Sequence, residues 1–249
     1  MKYSVLTYIF EGYEQPHEVV EKDPNAEYIL VTDDPTLYSK TWEVVVDHRL
    51  KDMTTFEKCH EVRFHPFRWV KNDIVVRLDA SIGILQPLTP LINDFVDGGY
   101  DRCLMIHPQR NRIDEEYEAW MELRDYPRDQ LVRCCSIMYG LGYDFGYKGL
   151  FQACFEIVRK NRVNTLINDL TFDFLRYAAA DGHIQRVNQT WLSFVINQFF
   201  DDKVKIFPVS ERIVNGGMMQ WYRHNSTTPQ TVKELIEPYM FNEPVEVWR

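Results

Sequence analysis

Carboxylates that follow apolar runs, and basic residues set near them, are the features of this sequence that could do chemistry. Asp33-Asp34-Pro35 follows the run Glu27–Thr32, and Asp79 follows Asp73–Leu78. In open α/β sheets ligands sit beyond the carboxyl ends of the strands. A carboxylate there can hold a divalent cation against a diphosphate, because hard cations take oxygen ligands and bridge phosphates. The same residues also suit local work: Asp79 can cap a turn, and Asp33-Asp34-Pro35 reads as an Asx turn. Lys58 and Arg63 lie on the expected helix Thr54–Phe64. Five residues apart, they stand about 140° from each other, so they share an anionic target only near the helix end. Solvated surface charge is the alternative. His107-Pro108-Gln109-Arg110 follows the run Cys103–Ile106. A His and an Arg there can bind anionic or hydroxyl-rich ligands, or simply form a surface loop.

Other chemistries lack their residues. There is no GxxxxGK[ST], HExxH or GxSxG. Gly140, Gly142 and Gly146 have the wrong spacing for a dinucleotide turn, and the segment before them looks helical. The 7 histidines are scattered, without metal-ligand spacing. The 5 cysteines include the adjacent pair Cys134-Cys135 and no CxxC, which reads as free thiols in a reducing compartment.

The elements that must position these residues fit a chain of 249 residues, 45% hydrophobic and 26% charged. Such a chain buries roughly 70% or more of its unfolded surface and needs no disulfide or metal to fold. With 15 Phe, 14 Tyr and 6 Trp it is not a disordered sequence. The net charge of −9 argues against a dedicated nucleic-acid or anionic-membrane binder. The apolar run before Glu11 is too short for a signal peptide or membrane span, so a cytoplasmic protein is expected.

Strands are expected at Tyr3–Phe10, Glu27–Thr32, Trp42–Val46, Asp73–Leu78, Cys103–Ile106, Gly149–Val158 and Val204–Phe207. Between them, apolar stripes at helical spacing run through Leu88, Leu91, Ile92 and Phe95, through Ile113, Tyr117, Trp120 and Met121, and through Val163, Leu166, Ile167, Leu170 and Phe174. A last stripe links Trp191, Phe194, Val195 and Phe199. Continuous apolar strands alternating with helices predict an α/β fold with a mostly parallel sheet flanked by helices. No linker divides the chain, so a single domain over 1–249 is expected, with a core to about 210, an irregular tail from about 211 to 249 and a helix near Val232–Tyr239.

The order of the segments YIFEGYE, YILVTDD, the Trp42 strand, RFHP, RLDASI, HPQR, GLFQACFEIVRKN and RVNQTWLSF resembles the glycosyltransferase-like domain family named for plant TOD and MUCI proteins, which also includes short bacterial proteins from polysaccharide loci. The likeness runs from about Tyr3 to Phe207. It implies a GT-A-type, Rossmann-like fold that binds a nucleotide-sugar, usually with Mn²⁺ or Mg²⁺. By resemblance Tyr8, Asp33 and Asp34 lie where the base and ribose are held, Lys58 and Arg63 where basic residues approach the diphosphate, and Asp79 in the metal-binding acidic motif with Ser81 beside the donor. His224 resembles a C-terminal histidine that completes metal coordination, and Gln189 sits in a segment that usually reads Asp-Gln near the reacting sugar. His107, Arg110 and Glu116 are expected on the acceptor side.

Two positions depart from that pattern. Asp79-Ala80-Ser81 carries one carboxylate in place of a pair, and Asn188-Gln189 stands in place of Asp-Gln. The function expected is transfer of a sugar from a nucleotide-sugar to a glycan or lipid-linked acceptor, as in cell-surface polysaccharide synthesis. Asn188, Gln189 and Asp181 are the candidate catalytic residues, and Asp181, Glu116 and Asp144 the candidate bases. A non-catalytic carbohydrate- or nucleotide-sugar-binding domain is the alternative, and a nucleotidyl- or phosphotransferase a third. The tail is expected to fold over the donor site and bring His224 toward Asp79, since a neutral imidazole is a good Mn²⁺ ligand.

Overall fold

The computed structural model describes residues 1–123, 128–178 and 187–229. Nine strands lie among them: β1 (Tyr3–Ile9), β2 (Ala26–Thr32), β3 (Glu43–Val46), β4 (Ile74–Leu78), β5 (Ile82–Ile84), β6 (Arg102–Ile106), β7 (Phe151–Arg159), β8 (Ile206–Val209) and β9 (Met219–Trp221). The helices are α1 (Thr55–Phe64), α2 (Thr89–Asp97), α3 (Ile113–Leu123), α4 (Arg128–Gly140), α5 (Arg162–Ala178), α6 (Asn188–Val195) and the one-turn α7 (Arg212–Asn215). The helix expected near Val232–Tyr239 lies outside the described residues.

Seven strands form one sheet in the order β3-β2-β1-β4-β7-β6-β8. Every neighbouring pair is parallel except those of β7, which runs antiparallel to both β4 and β6. All residues of β1 and β4 are buried, as a sheet covered on both faces requires. Alternation sorts the side chains. Tyr3, Val5 and Ile9 of β1 join Val76, Leu78 and Phe155 in a core that α2 closes. Leu6, Tyr8 and Phe10 point the other way and pack with Val62 of α1. Helices α3 to α6 build a third apolar cluster around Trp191, Phe194, Ile167 and Leu104.

Local chemistry sets the elements that matter to the site. Thr54 caps α1 and Glu57 reaches back to the Thr54 amide, a reciprocal capping box that fixes where α1 starts. Past α6 the helix widens into a π turn over Ile196–Phe200, so the apolar stripe that reaches Phe199 is carried by two kinds of helical turn. The last strand of the sheet starts at Ile206, two residues later than expected.

The face of the sheet beneath α1 and α5 carries a buried row of charge. Arg77 of β4 lies opposite Glu156 of β7 in register, and Glu156 also takes Arg102 of β6 at 3.1 Å. Arg77 donates to the carbonyl of Arg63 at the end of α1, and Arg102 donates to the Asn168 side chain of α5. Buried charges persist only when paired, and this row is paired across three strands by Glu156 between Arg77 and Arg102.

Candidate functional site

The strand order turns at β1. The chain leaves β1 for β2 and β3 on one side and returns as β4 on the other. At such a switch point open α/β sheets bind ligands in the crevice beyond the carboxyl ends of the strands, here those of β1 and β4. Tyr8 stands near the end of β1, Asp33 just past β2 and Asp79 just past β4.

Two ion pairs border the crevice, both built from α1. Lys58 Nζ donates to Asp33 Oδ2 at 2.8 Å, and the Glu11 amide donates to Asp33 Oδ1 at 3.0 Å. Burial works against the ionised Asp33, but these hydrogen bonds outweigh it and hold its carboxyl below the usual carboxylate range. Arg63 Nη2 pairs with Asp79, while Nε and Nη2 donate to the Tyr8 hydroxyl at 3.1 and 2.8 Å. Its Nη1 donates to the Ala153 carbonyl, so every nitrogen of that guanidinium is engaged. Burial pushes the Tyr8 phenol well up, which keeps it neutral. Lys58 and Arg63 therefore serve different carboxylates, as their angular separation on the helix requires. Between them the Cys59 thiol is pushed up to about 12 by burial and is not a nucleophile.

In both pairs the cation is the buried member and the carboxylate the more open one, with side-chain exposures of 11% against 26% for Lys58–Asp33 and 8% against 35% for Arg63–Asp79. Asp34 does different work: its carboxylate accepts from the amide and hydroxyl of Thr36, both at 2.7 Å, as an Asx turn. Glu11 has φ 54° and Gly12 φ 63°. A non-glycine residue seldom takes that left-handed conformation, and here Asp33 holds the Glu11 amide while Thr55 donates to its carboxylate.

The described part of the tail packs beside Asp79. β9 pairs antiparallel with β5, which begins three residues after Asp79. Trp221 donates its indole N–H to Ser81 Oγ at 3.1 Å, and the Tyr222 amide donates to the Ser81 carbonyl. Tyr222 stacks on His17 at 4.3 Å and lies against Gly83, where a Cβ would come within 2.7 Å of its ring. Ser81, expected beside the donor, is buried, and its side chain and carbonyl hold the tail. His224 is exposed, and its Nδ1 bonds Glu14 at 2.9 Å, with the Asn225 amide on the same carboxylate at 2.8 Å. Asn225 Nδ2 donates to the Tyr13 carbonyl, and the Tyr13 hydroxyl donates to the carbonyl of Tyr8. The partner of His224 is therefore Glu14, a fully buried carboxylate that no sequence pattern singles out beyond its place after the first strand.

This donor set does not fit the Mn²⁺ or Mg²⁺ site expected from the resemblance. Among the described residues no three His, Cys, Asp or Glu side chains are grouped to hold a metal ion. One oxygen of Asp79 is held by Arg63, positions 80 and 81 offer no second carboxylate, and His224 is turned to Glu14.

A second cluster lies at the same edge of the sheet, across the start of β7. His107 follows β6, but it is buried rather than part of a surface loop. Its Nδ1 accepts from the amides of Gln109 and Arg110 at 3.3 and 3.1 Å, and its Nε2 lies 3.3 Å from Arg110 Nη2 and 3.5 Å from Glu116 Oε2. Burial, aided by the Arg110 charge, holds the His107 pKa well down, and the ring stays neutral. Glu116 of α3 is buried and takes Arg110 Nε on one oxygen and Gln189 Nε2 of α6 on the other. Four residues singled out in the sequence thus form one network. Glu116, expected on the acceptor side and as a candidate base, sits at the centre of that network with both oxygens engaged. Asn188 opens α6 beside Gln189. Asp144 stands in an exposed turn and accepts from the Gly146 amide, away from this network. Asp181 lies outside the described residues. No helix among the described residues is long and apolar enough to cross a membrane.

No family model and no curated protein matches the chain. Among solved structures it is similar to the glycosyltransferase GlyE of Streptococcus pneumoniae TIGR4, with a TM-score of 0.48, 14% identity and 86% of this chain covered. It spans 46% of the length of that structure. It is also similar to mouse xyloside xylosyltransferase 1, with a TM-score of 0.47, 8% identity and coverage of 84% of this chain and 85% of that one.

Proposed function

We propose that this chain is a GT-A-type glycosyltransferase that moves a sugar from a nucleotide-sugar to a glycan or lipid-linked acceptor, as in the making of a surface polysaccharide. The observation that carries the reading is convergence: Tyr8, Asp33, Lys58, Arg63 and Asp79, from three strands and one helix, meet at the crevice where the strand order turns. The open carboxylates of Asp33 and Asp79 suit sugar and ribose hydroxyls, which donate to them. Lys58 and Arg63 stabilise negative charge as the nucleoside diphosphate departs, by exchanging a carboxylate partner for a phosphate oxygen. The network of His107, Arg110, Glu116 and Gln189 faces the acceptor end.

Calorimetry with UDP and GDP, with and without Mn²⁺, tests the binding step, and transfer assays with a panel of nucleotide-sugars test the reaction. Asp79→Ala is expected to fold and to lose nucleotide binding. Loss of Lys58 or Arg63 is expected to weaken nucleotide affinity roughly ten- to a hundredfold and to leave free nucleoside unaffected. Absence of any nucleotide binding by the parent overturns the reading. A non-catalytic nucleotide-sugar-binding domain is favoured by one observation, that Asp33 and Asp79 already neutralise both cations. Binding without turnover across the panel would establish it.

A further inference from the structure

The Glu116 network fixes more than the place of Gln189. A carboxylate only accepts hydrogen bonds, so the Gln189 side chain must turn its NH₂ toward Glu116. The same carboxylate holds Arg110 through Nε, with His107 Nε2 3.5 Å away. Donors from the loop after β6 and from α6 therefore converge on one buried oxygen pair. The amide of a glutamine reads nearly the same either way round unless its partners decide. Here the partner is an anion with no proton to give, and the decision is complete. The carbonyl Oε1 of Gln189 is left on the side away from Glu116, on a residue that is half-buried at the rim.

We propose that Glu116 is a positioning residue that sets the polarity of Gln189, with the amide NH₂ directed inward and the carbonyl oxygen presented as a hydrogen-bond acceptor for a sugar hydroxyl. The sugar part of this statement rests on the glycosyltransferase reading. The orientation part rests on the network alone. Arg110 is fixed by the same carboxylate, so the rim offers an acceptor beside a cation, a pairing suited to a hydroxyl-bearing ring. Neither Glu116 nor His107 touches the sugar, because both are buried behind their partners.

Side-chain amide NMR of the parent protein tests the orientation without any assay of activity. The Gln189 NH₂ protons are expected to exchange at least tenfold more slowly than those of the exposed Gln15, and Glu116→Gln, which can present either end of its amide, is expected to abolish that protection. Equal exchange at Gln189 and Gln15 in the parent overturns the assignment, whether or not the variant folds. The role is read from transfer kinetics. Glu116→Gln is expected to lower kcat at least tenfold, to leave nucleoside diphosphate affinity within twofold, and to cause no further loss when combined with Gln189→Ala. Multiplying losses in the double variant, or parental kcat in Glu116→Gln, overturns the positioning role. A parent that binds no nucleotide and transfers no sugar instead removes the glycosyltransferase reading, and the sugar-acceptor role with it, while the amide exchange still decides the orientation.

Discussion

The two polar clusters at the strand ends are built with opposite polarity. In the β1–β4 crevice the cations Lys58 and Arg63 are buried and their carboxylates face the opening. At the end of β6 the carboxylate Glu116 is buried, with 2% side-chain exposure, and Arg110 and Gln189 stand outside it. A buried charge must stay paired, so only the outer member of each pair can be exchanged for a ligand group. The crevice therefore meets an incoming molecule with acceptors, and the β6 cluster meets it with a cation and an amide. Lys58 and Arg63 are organisers of Asp33 and Asp79 first, and an anion would reach either cation only once the carboxylate in front had moved. The contrast also explains how a chain of net charge −9 keeps the two cations of α1 ordered at its crevice: each is neutralised locally.

The sharpest way to break this comparison is to remove what stands between the clusters. Glu156 of β7 pairs with Arg77 of β4, which leads to the crevice, and with Arg102 of β6, which leads to the second cluster. Glu156→Ala leaves two buried guanidinium groups without their counter-ion. Breaking a buried pair in this way costs about 3–5 kcal/mol, and chemical denaturation is expected to show that loss with both clusters disturbed together. The next effect is that of Arg63→Ala. It removes the hydrogen bonds to Tyr8, Ala153 and Asp79, for a loss of about 2–3 kcal/mol, moderated because Asp79 is open enough to be hydrated. The fluorescence of a bound nucleotide analogue reports whether the crevice goes with it, while the amide protection of Gln189 is expected to survive.

Acid sharpens the comparison through two histidines. Burial, with help from Arg63, lowers the His60 pKa to about 3, and burial with Arg110 lowers that of His107 well below its ordinary value. Both are neutral in the folded protein and titrate near pH 6.5 when unfolded, so the unfolded state binds more protons as pH falls. Stability is complete above about pH 6.5 and falls below it, by about 1.4 kcal/mol per pH unit for each histidine until its folded pKa is reached. At pH 5 His60 alone accounts for about 2 kcal/mol. Thermal unfolding of His60→Gln against the parent between pH 7 and 5 checks this: the variant's profile is expected to be flatter.

Much of this architecture is legible in the sequence, and the exceptions share a cause. β1, β2 and β4 announce themselves as continuous apolar runs, and Thr54 with Glu57 marks the start of α1 within a residue. Strands β5 and β9 are three residues each and exist only because they pair across some 135 positions of chain, with Gly83 making room for Tyr222. No local pattern encodes such a pairing. Glu116 lies off the apolar stripe of α3, so periodicity does not mark it as buried, yet α6 brings Gln189 onto it. His107 reads as a loop residue and is buried for the same reason. The residues that could do chemistry are visible one at a time. Their partners, and hence whether each faces inward or outward, are set by tertiary contacts that short-range periodicity does not carry.

The smallest expected effect separates the two ion pairs within the crevice itself. Lys58 and Arg63 both hold a carboxylate, but Lys58 makes one hydrogen bond with a flexible ammonium, whereas Arg63 spreads its guanidinium over three partners. The Asp33 carboxylate also keeps its bond from the Glu11 amide when Lys58 is lost. Lys58→Met preserves the apolar stem that packs near Phe10, with Nζ 6.0 Å from that ring, and removes only the charge. The loss of stability is expected to be about 0.5–1 kcal/mol, in the range of partly exposed pairs. Because that pair opens to solvent through Asp33, the difference between parent and variant is expected to shrink as salt rises toward 1 M, where the screening length falls to about 3 Å. The corresponding difference for Arg63→Ala is expected to persist, since its hydrogen bonds are buried and do not depend on long-range charge. Urea denaturation of both variants at low and high salt measures the contrast. Equal salt sensitivity of the two variants would show that both cations act as simple counter-ions, and would remove the distinction between a Lys58 held by one hydrogen bond and an Arg63 held by three partners.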